Sequence, residues 1–179
     1  MAVGEDADKT GEAASRTNIE LYPAQKELVK AIHATGTPVV MVLMNGRPLA
    51  TEWSEANIPS ILNGWHLGTE AGNALADVLF GDYNPSGKLT MTVPRKTGQI
   101  PIFYNRKRIS RPLDDTRHTS KYVDSSNDPL YPFGYGLSYT NFSYSSIKLS
   151  TDSINLNESL EANVTVTNTG KRFGEEVVQ

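Results

Sequence analysis

The 179-residue sequence contains no cysteine. That absence excludes a disulfide framework, a thiolate metal site and a cysteine nucleophile. Histidine is scarce. His33, His66 and His118 are the three in the chain, and no two of them stand at the spacing of a metal-ligand pair. Long apolar runs are missing as well: none reaches the roughly 18 residues of a membrane-spanning helix. The opening residues, MAVGEDADK, carry no apolar stretch that would serve as a signal peptide. Strong charge of one sign is also absent. A net charge of −3 gives no global attraction to nucleic acid or to an anionic membrane. The 38% of hydrophobic residues is enough to build a core for one domain or slightly more.

What is present reads first as alternating helices and buried strands. YPAQKELVKAIHAT (22–35) has Pro23 at a first-turn position and an apolar stripe of Ala24, Leu28, Val29 and Ile32, with Gly36 placed to stop the helix. TPVVMVLMNG (37–46) holds six consecutive apolar residues from Val39 to Met44, the pattern of a strand buried on both faces of a parallel sheet. PSILNGWHLG (59–68) predicts a second buried strand through Ile61, Leu62 and Trp65. A helix follows from Thr69, its N-cap, with a buried stripe of Ala71, Ala74, Leu75, Val78 and Leu79 and a stop at Gly81. DYNPSG (82–87) is turn chemistry, and KLTMTVP (88–94) alternates like a short strand closed by proline. The order predicts an open α/β layer. MAVGED resembles the last residues of a strand whose beginning lies elsewhere.

Residues 95–130 predict an irregular loop. From Arg95 to Lys121, Arg95, Lys96, Arg106, Lys107, Arg108, Arg111, Arg117 and Lys121 stand against Asp114 and Asp115. The cations lack helical spacing and interleaved aromatics, so a solvated or interdomain loop is expected rather than a nucleic-acid surface. Beyond residue 144 the texture turns to alternating Thr, Val and Ser in SSIKLS, SLEANVTVTNTG and RFGEEVVQ, which predicts about three strands of a β-sandwich. A sandwich needs about seven strands. Two incomplete layers imply exposed edges and faces, and hence a possible homo-oligomer formed through them.

The carboxylates with chemical interest lie near the start. Glu12 sits among Gly11, Ala13, Ala14 and Ser15, four residues before Arg16. A lone glutamate in a polar loop is ordinarily just solvated. Glu5, at a strand end in VGED, is the rival, because ligands of open α/β sheets bind beyond the carboxyl ends of strands. His66 beside Trp65 suits packing, and His33 a helix surface. Asn45-Gly46-Arg47-Pro48 is a turn whose arginine suits an interdomain ion pair. GDYNPSGK lacks the spacing of a phosphate loop, and GEDADKTGEAAS is too acidic for a flavodoxin-like nucleotide site. GYGLSY has no helix after it, so its aromatics suit packing at a domain junction.

Four blocks carry a resemblance: GEAASRTNIEL, VVMVLMNGRPLA, GWHLGTEAGNALADVLFGDYNPSGKL and PLYPFGYGLSYTNFSY. In this order they resemble the C-terminal region of family 3 glycoside hydrolases, of the bacterial periplasmic β-glucosidase type. The resemblance implies residues 1–140 as the family's α/β domain and residues 141–179 as the first strands of a fibronectin-III-like β-sandwich. The fold class is then α/β: part of an open, mainly parallel α/β sandwich followed by an incomplete all-β segment.

The resemblance also implies chemistry. A barrel domain, which matches nothing in these residues, would supply the aspartate nucleophile. Glu12 occupies the position of the acid/base glutamate, and Arg16 would orient the loop or contact substrate. A retaining glycosidase needs two carboxyl groups about 5–5.5 Å apart. A standing Arg16–Glu12 bond would favour the carboxylate and oppose proton donation. Asp77, on a predicted helix, and Asp82, in a turn, do not match the nucleophile motif. The implied partner is a β-linked glucoside or oligosaccharide, with no cofactor and no metal. The implied location of the parent enzyme is periplasmic or secreted, and the chain alone is expected to be inactive. A non-catalytic carbohydrate-binding or structural module is the alternative.

Overall fold

The apolar run at Val39–Met44 becomes the middle strand of a three-stranded parallel sheet. The computed structural model, which describes residues 1–107 and 118–178, orders this sheet β1-β2-β3, with β1 at Ala2–Gly4, β2 at Val40–Met44 and β3 at Ser60–Asn63. Ala2 pairs with Val42 and Val40 with Ser60, both in parallel register. Met41 is completely buried, and Val42 and Leu43 nearly so, which places apolar side chains on both faces of the central strand.

Helix α1, Pro23–Ala34, starts with Pro23 in its first turn. It ends where Gly36 takes a φ of +75° and the Thr35 hydroxyl donates to the Ile32 carbonyl at 2.8 Å. Its buried contact is narrower than the predicted stripe. Val29 is buried and Ile32 half-buried, but Ala24 and Leu28 are exposed. Val29 joins Val3, Leu21, Val39, Met41, Leu43, Leu49 and Ile58 in one core cluster. Fully burying a side chain such as Met41 contributes about 1.5–3 kcal/mol.

Several expectations change. A short helix α2, Glu52–Asn57, precedes β3 and has no counterpart in the sequence reading. Six residues are too few for a periodic stripe to be legible. β3 is half-buried rather than buried, because it is an edge of this sheet. Helix α3, Ala71–Phe80, contains no buried residue, and Ala74 and Leu79 of its predicted stripe are exposed. KLTMTVP forms no strand. It makes an isolated antiparallel bridge, Val93 with Tyr131, and backbone bonds from Leu89 N to Tyr135 O at 2.8 Å and from Gly134 N to Leu89 O at 2.7 Å.

The chain divides into two compact units, Met1–Leu75 with Leu89–Tyr135, and Ala76–Lys88 with Gly136–Gln179. In the first, the basic stretch is partly pinned. Gln99 is buried, its side chain accepting from Arg95 N at 2.6 Å and donating to Ser126 O at 2.8 Å. Lys96 Nζ donates to Asp124 O at 2.9 Å. Arg108, Arg111, Asp114, Asp115 and Arg117 lie outside the described residues. In the second unit, β4 (Phe142–Tyr144) pairs antiparallel with β7 (Val166–Asn168), and β5 (Lys148–Leu149) with β6 (Ala162–Asn163). RFGEEVVQ forms no strand among its described residues. Asn84 ties this unit together: its Oδ1 accepts from Ser138 Oγ at 2.9 Å and Tyr139 N at 2.7 Å, and its Nδ2 donates to Phe173 O at 2.9 Å.

Candidate functional site

Three charged residues at the carboxyl ends of β1 and β2 build the ground on which Glu12 stands. Glu5 follows β1, and its backbone N–H donates to Met44 O at 2.8 Å, continuing the parallel ladder. This turns its side chain inward, where it has no exposed surface. Arg16 Nη1 lies 2.7 Å from Glu5 Oε1 and Arg47 Nε lies 3.0 Å from the same oxygen. Arg47 Nε is off the hydrogen-bond axis, so this second contact is electrostatic. Gly46 N donates to Glu5 Oε2 at 3.3 Å. One buried carboxylate is therefore shared by two guanidiniums. Removing it would leave those cations buried and unpaired, the costly way to break such an arrangement.

The loop between Glu5 and Ile19 is fixed at both ends and along its length. After a 3-10 turn at Ala7–Lys9, Ala14 N closes back on Gly11 O at 3.3 Å. Glu12 and Ala13 are the two central residues of that turn. Ala13 holds φ +60°, a left-handed conformation that an alanine adopts at a cost. Such strain gathers at functional sites because the surroundings must impose it. Arg47 Nη2 donates to Lys9 O at 2.7 Å and Ala14 O at 2.8 Å. Arg16 Nη2 donates to Glu20 O at 3.0 Å, and its guanidinium lies 4.5 Å from the centre of the Tyr22 ring. Beyond the loop, Ile19 O accepts from Ala50 N at 2.9 Å, and Leu21 enters the core.

Glu12 itself is exposed, and among the described residues its carboxylate takes no hydrogen bond or ion pair. Arg16 is turned away from it, onto Glu5. The turn at Asn45–Pro48 differs from its sequence reading. Arg47 makes its ion pair inside the first unit, with Glu5, rather than between domains. Gly46 lies in close approach to two side chains. A Cβ there would collide with Thr10 Oγ1 and come within 2.8 Å of His66 Nε2. His66 is exposed, its ring edge beside Gly46, and Trp65 before it holds φ +50°. His33 meets the Trp53 ring edge-on at 5.6 Å. Among the described residues no group of three or more His, Asp or Glu side chains is placed to hold a metal. Asp77 and Asp82 belong to the second unit and are exposed.

A cavity of about 200 Å³ in the first unit is lined by Glu20, Lys26, Trp53, Glu52 and Arg95, and Glu12 is not part of its wall. Four of its charges are paired, Lys26 with Glu20 and Arg95 with Glu52, while Lys96, also in the wall, donates to Asp124 O. The roles of Glu5 and Arg47 were not legible beforehand. The available signal was a lone acid and a lone arginine at the ends of adjacent parallel strands.

Residues 1–139 match the model of the glycosyl hydrolase family 3 C-terminal domain. The chain belongs to glycoside hydrolase family 3. It is 51% identical to a periplasmic beta-glucosidase of Salmonella typhimurium over 99% of this chain and 24% of that protein. It is 49% identical to a beta-xylosidase of Formosa agariphila over 100% of this chain and 24% of that protein. In three dimensions it is similar to the crystal structure of a beta-glucosidase from Listeria innocua in complex with glucose, with a TM-score of 0.89 and 44% identity over 95% of this chain and 24% of that one. The chain therefore spans about a quarter of the length of the family 3 relatives it matches. No helix among the described residues is long and apolar enough to cross a membrane.

Proposed function

We propose that this chain is the acid/base-bearing part of a retaining, β-glucosidase-like glycoside hydrolase, with Glu12 as the proton donor. The observation that carries the reading is the contrast between two carboxylates on one loop. Glu5 is buried and spent on two arginines, while Glu12 is presented at the tip of a strained turn with no cation against it. A carboxylate kept free of cations suits proton donation, since an ion pair would favour its charged form. In the first step Glu12 protonates the leaving-group oxygen as a nucleophilic carboxylate attacks the anomeric carbon. In the second it deprotonates the water that releases the sugar.

The nucleophile belongs, on this reading, to a barrel domain outside these residues, and the 179 residues by themselves do not turn over. Arg16 serves to orient the loop, as its bonds to Glu5 and to Glu20 O support. Residues 1–140 form the family's α/β domain and 141–179 open a fibronectin-III-like sandwich. The relatives named for glucosides and xylosides are of nearly equal identity, so both sugars belong in the assay. The periplasmic name of the Salmonella relative supports an exported parent. The exposed Phe80, Leu137, Ile147 and Phe173 of the second unit support self-association of the isolated chain, which sedimentation would register as a dimer and refute as a monomer.

The test is a hybrid in which this chain replaces the matching quarter of the Salmonella beta-glucosidase. The hybrid should hydrolyse aryl and alkyl β-glucosides, and Glu12→Gln should slow the alkyl substrate by about 10²–10⁴-fold. An unchanged rate in Glu12→Gln would overturn the assignment. Sugar binding without turnover in an otherwise folded hybrid would favour the non-catalytic module.

A further inference from the structure

The Glu12 turn is tied down by one nitrogen atom. Arg47 Nη2 bonds both Lys9 O and Ala14 O, the carbonyls flanking Glu12 on either side. We propose that Arg47 is a positioning residue for Glu12, holding the two stems of the turn together so that the carboxyl is presented in one geometry. The inference rests on the acid/base reading of Glu12.

Four features support it. The donor is charged, and charge-assisted bonds to carbonyls are stronger than neutral ones. The guanidinium is itself fixed, because its Nε lies against the fully buried Glu5 carboxylate at 3.0 Å. Glu5 in turn is anchored by the Gly46 and Met44 backbone at the ends of the adjacent strand. The turn carries strain at Ala13, which a free loop would release. Arg16 does not duplicate this function: apart from Glu5, its hydrogen bond is to Glu20 O, beyond the turn. The arrangement also leaves Glu12 unpaired. Arg47 reaches the backbone on both sides of it, and its ion pair is with Glu5 rather than with Glu12. Displacing a proton donor by about 1 Å can cost about 10²-fold in rate, so clamping of this kind matters to the reaction.

Two variants test it. Arg47→Met removes the clamp and leaves Glu5 with Arg16 as its one cation. Arg47→Lys keeps Glu5 paired but replaces the planar fork with a compact ammonium. In the 179-residue chain, exchange of the hydrogen-bonded Lys9 and Ala14 amides should accelerate about tenfold or more in both, while β2 amides in Arg47→Lys stay at parental rates. Parental exchange at Lys9 and Ala14 in Arg47→Lys would overturn the clamp.

In the hybrid, Arg47→Lys should lower kcat/KM for an alkyl β-glucoside about tenfold and leave a dinitrophenyl glucoside, whose leaving group needs no proton, within about twofold. Equal losses on both substrates would mean a merely structural role and overturn the positioning claim. Glu12→Gln measured alongside separates the two readings. If Glu12→Gln shows no such leaving-group dependence, the acid/base assignment fails, whereas a normal Glu12→Gln pattern with an indifferent Arg47→Lys fails the positioning alone.

Discussion

Arg16 and Glu5 are joined at 2.7 Å, eleven positions apart in sequence, and the Glu5 side chain shows no surface to solvent. This contact, rather than one between Arg16 and its near neighbour Glu12, organises the loop. It makes Glu5 the residue on which the local structure depends.

Glu5→Ala should therefore be severely destabilising. It strands two largely buried guanidiniums, a change that costs about 3–5 kcal/mol. Both tryptophans, Trp53 and Trp65, lie in the first unit, so urea unfolding followed by tryptophan fluorescence reads that unit directly. Lys30→Met, which breaks an exposed pair with Glu27 at 3.1 Å, should change stability by no more than about 0.5 kcal/mol. Similar effects from the two variants would contradict the burial argument.

The core makes a second contrast. Met41→Ala opens a hole in the centre of the sheet and should cost about 2–5 kcal/mol. Leu79→Ala on α3, at a residue 42% exposed, should cost about 1 kcal/mol or less. Denaturant midpoints for the two variants, with unchanged slopes, would check the order.

Two substitutions, one in the Glu12 loop and one in the turn beside it, should differ in their effect. Gly46→Ala drives a methyl into Thr10 and His66 and should cost about 1–3 kcal/mol. Ala13→Gly relieves a φ of +60° and should be neutral or stabilising by up to about 1 kcal/mol. Thermal melts measure both. A destabilised Ala13→Gly would show that the alanine methyl contributes contacts that outweigh the strain.

Tyr131 provides a pH prediction. Burial, with added repulsion from Glu55 and Tyr135, pushes its phenol from 10.0 up to about 12. Its ring stacks on Tyr135 at 4.9 Å. The folded state therefore holds this proton more tightly than the unfolded one, and stability present below pH 10 is lost as pH rises towards about 12. In Tyr131→Phe the loss of stability across that window should be smaller, and the late-ionising part of the phenolate absorbance titration should disappear. A titration identical to the parent's would contradict the shift.

Much of the architecture was readable in one dimension. The six apolar residues at Val39–Met44 mark a central strand covered on both faces, and Met41, Val42 and Leu43 are buried there, while Val40 is exposed. Pro23 and Gly36 mark the ends of α1 because their backbones permit one kind of position there. The position of Glu12 was legible through the small-residue motif around it. Periodicity misled at α3 and at KLTMTVP, because an apolar stripe states what a segment can bury and not what lies opposite it.

By itself, then, the sequence determined the family, the α/β class, the central strand and the position of the exposed carboxylate. These depend on composition, local backbone preference and motif, all of which are properties of neighbouring residues. Only the tertiary structure decided the partners. Glu5, Arg16 and Arg47 meet because parallel pairing carries Glu5 beside Met44, and so beside the turn that begins at Asn45. Coulomb attraction and desolvation depend on distance in space, so which glutamate is neutralised and which is left free is settled only when the strands have come together.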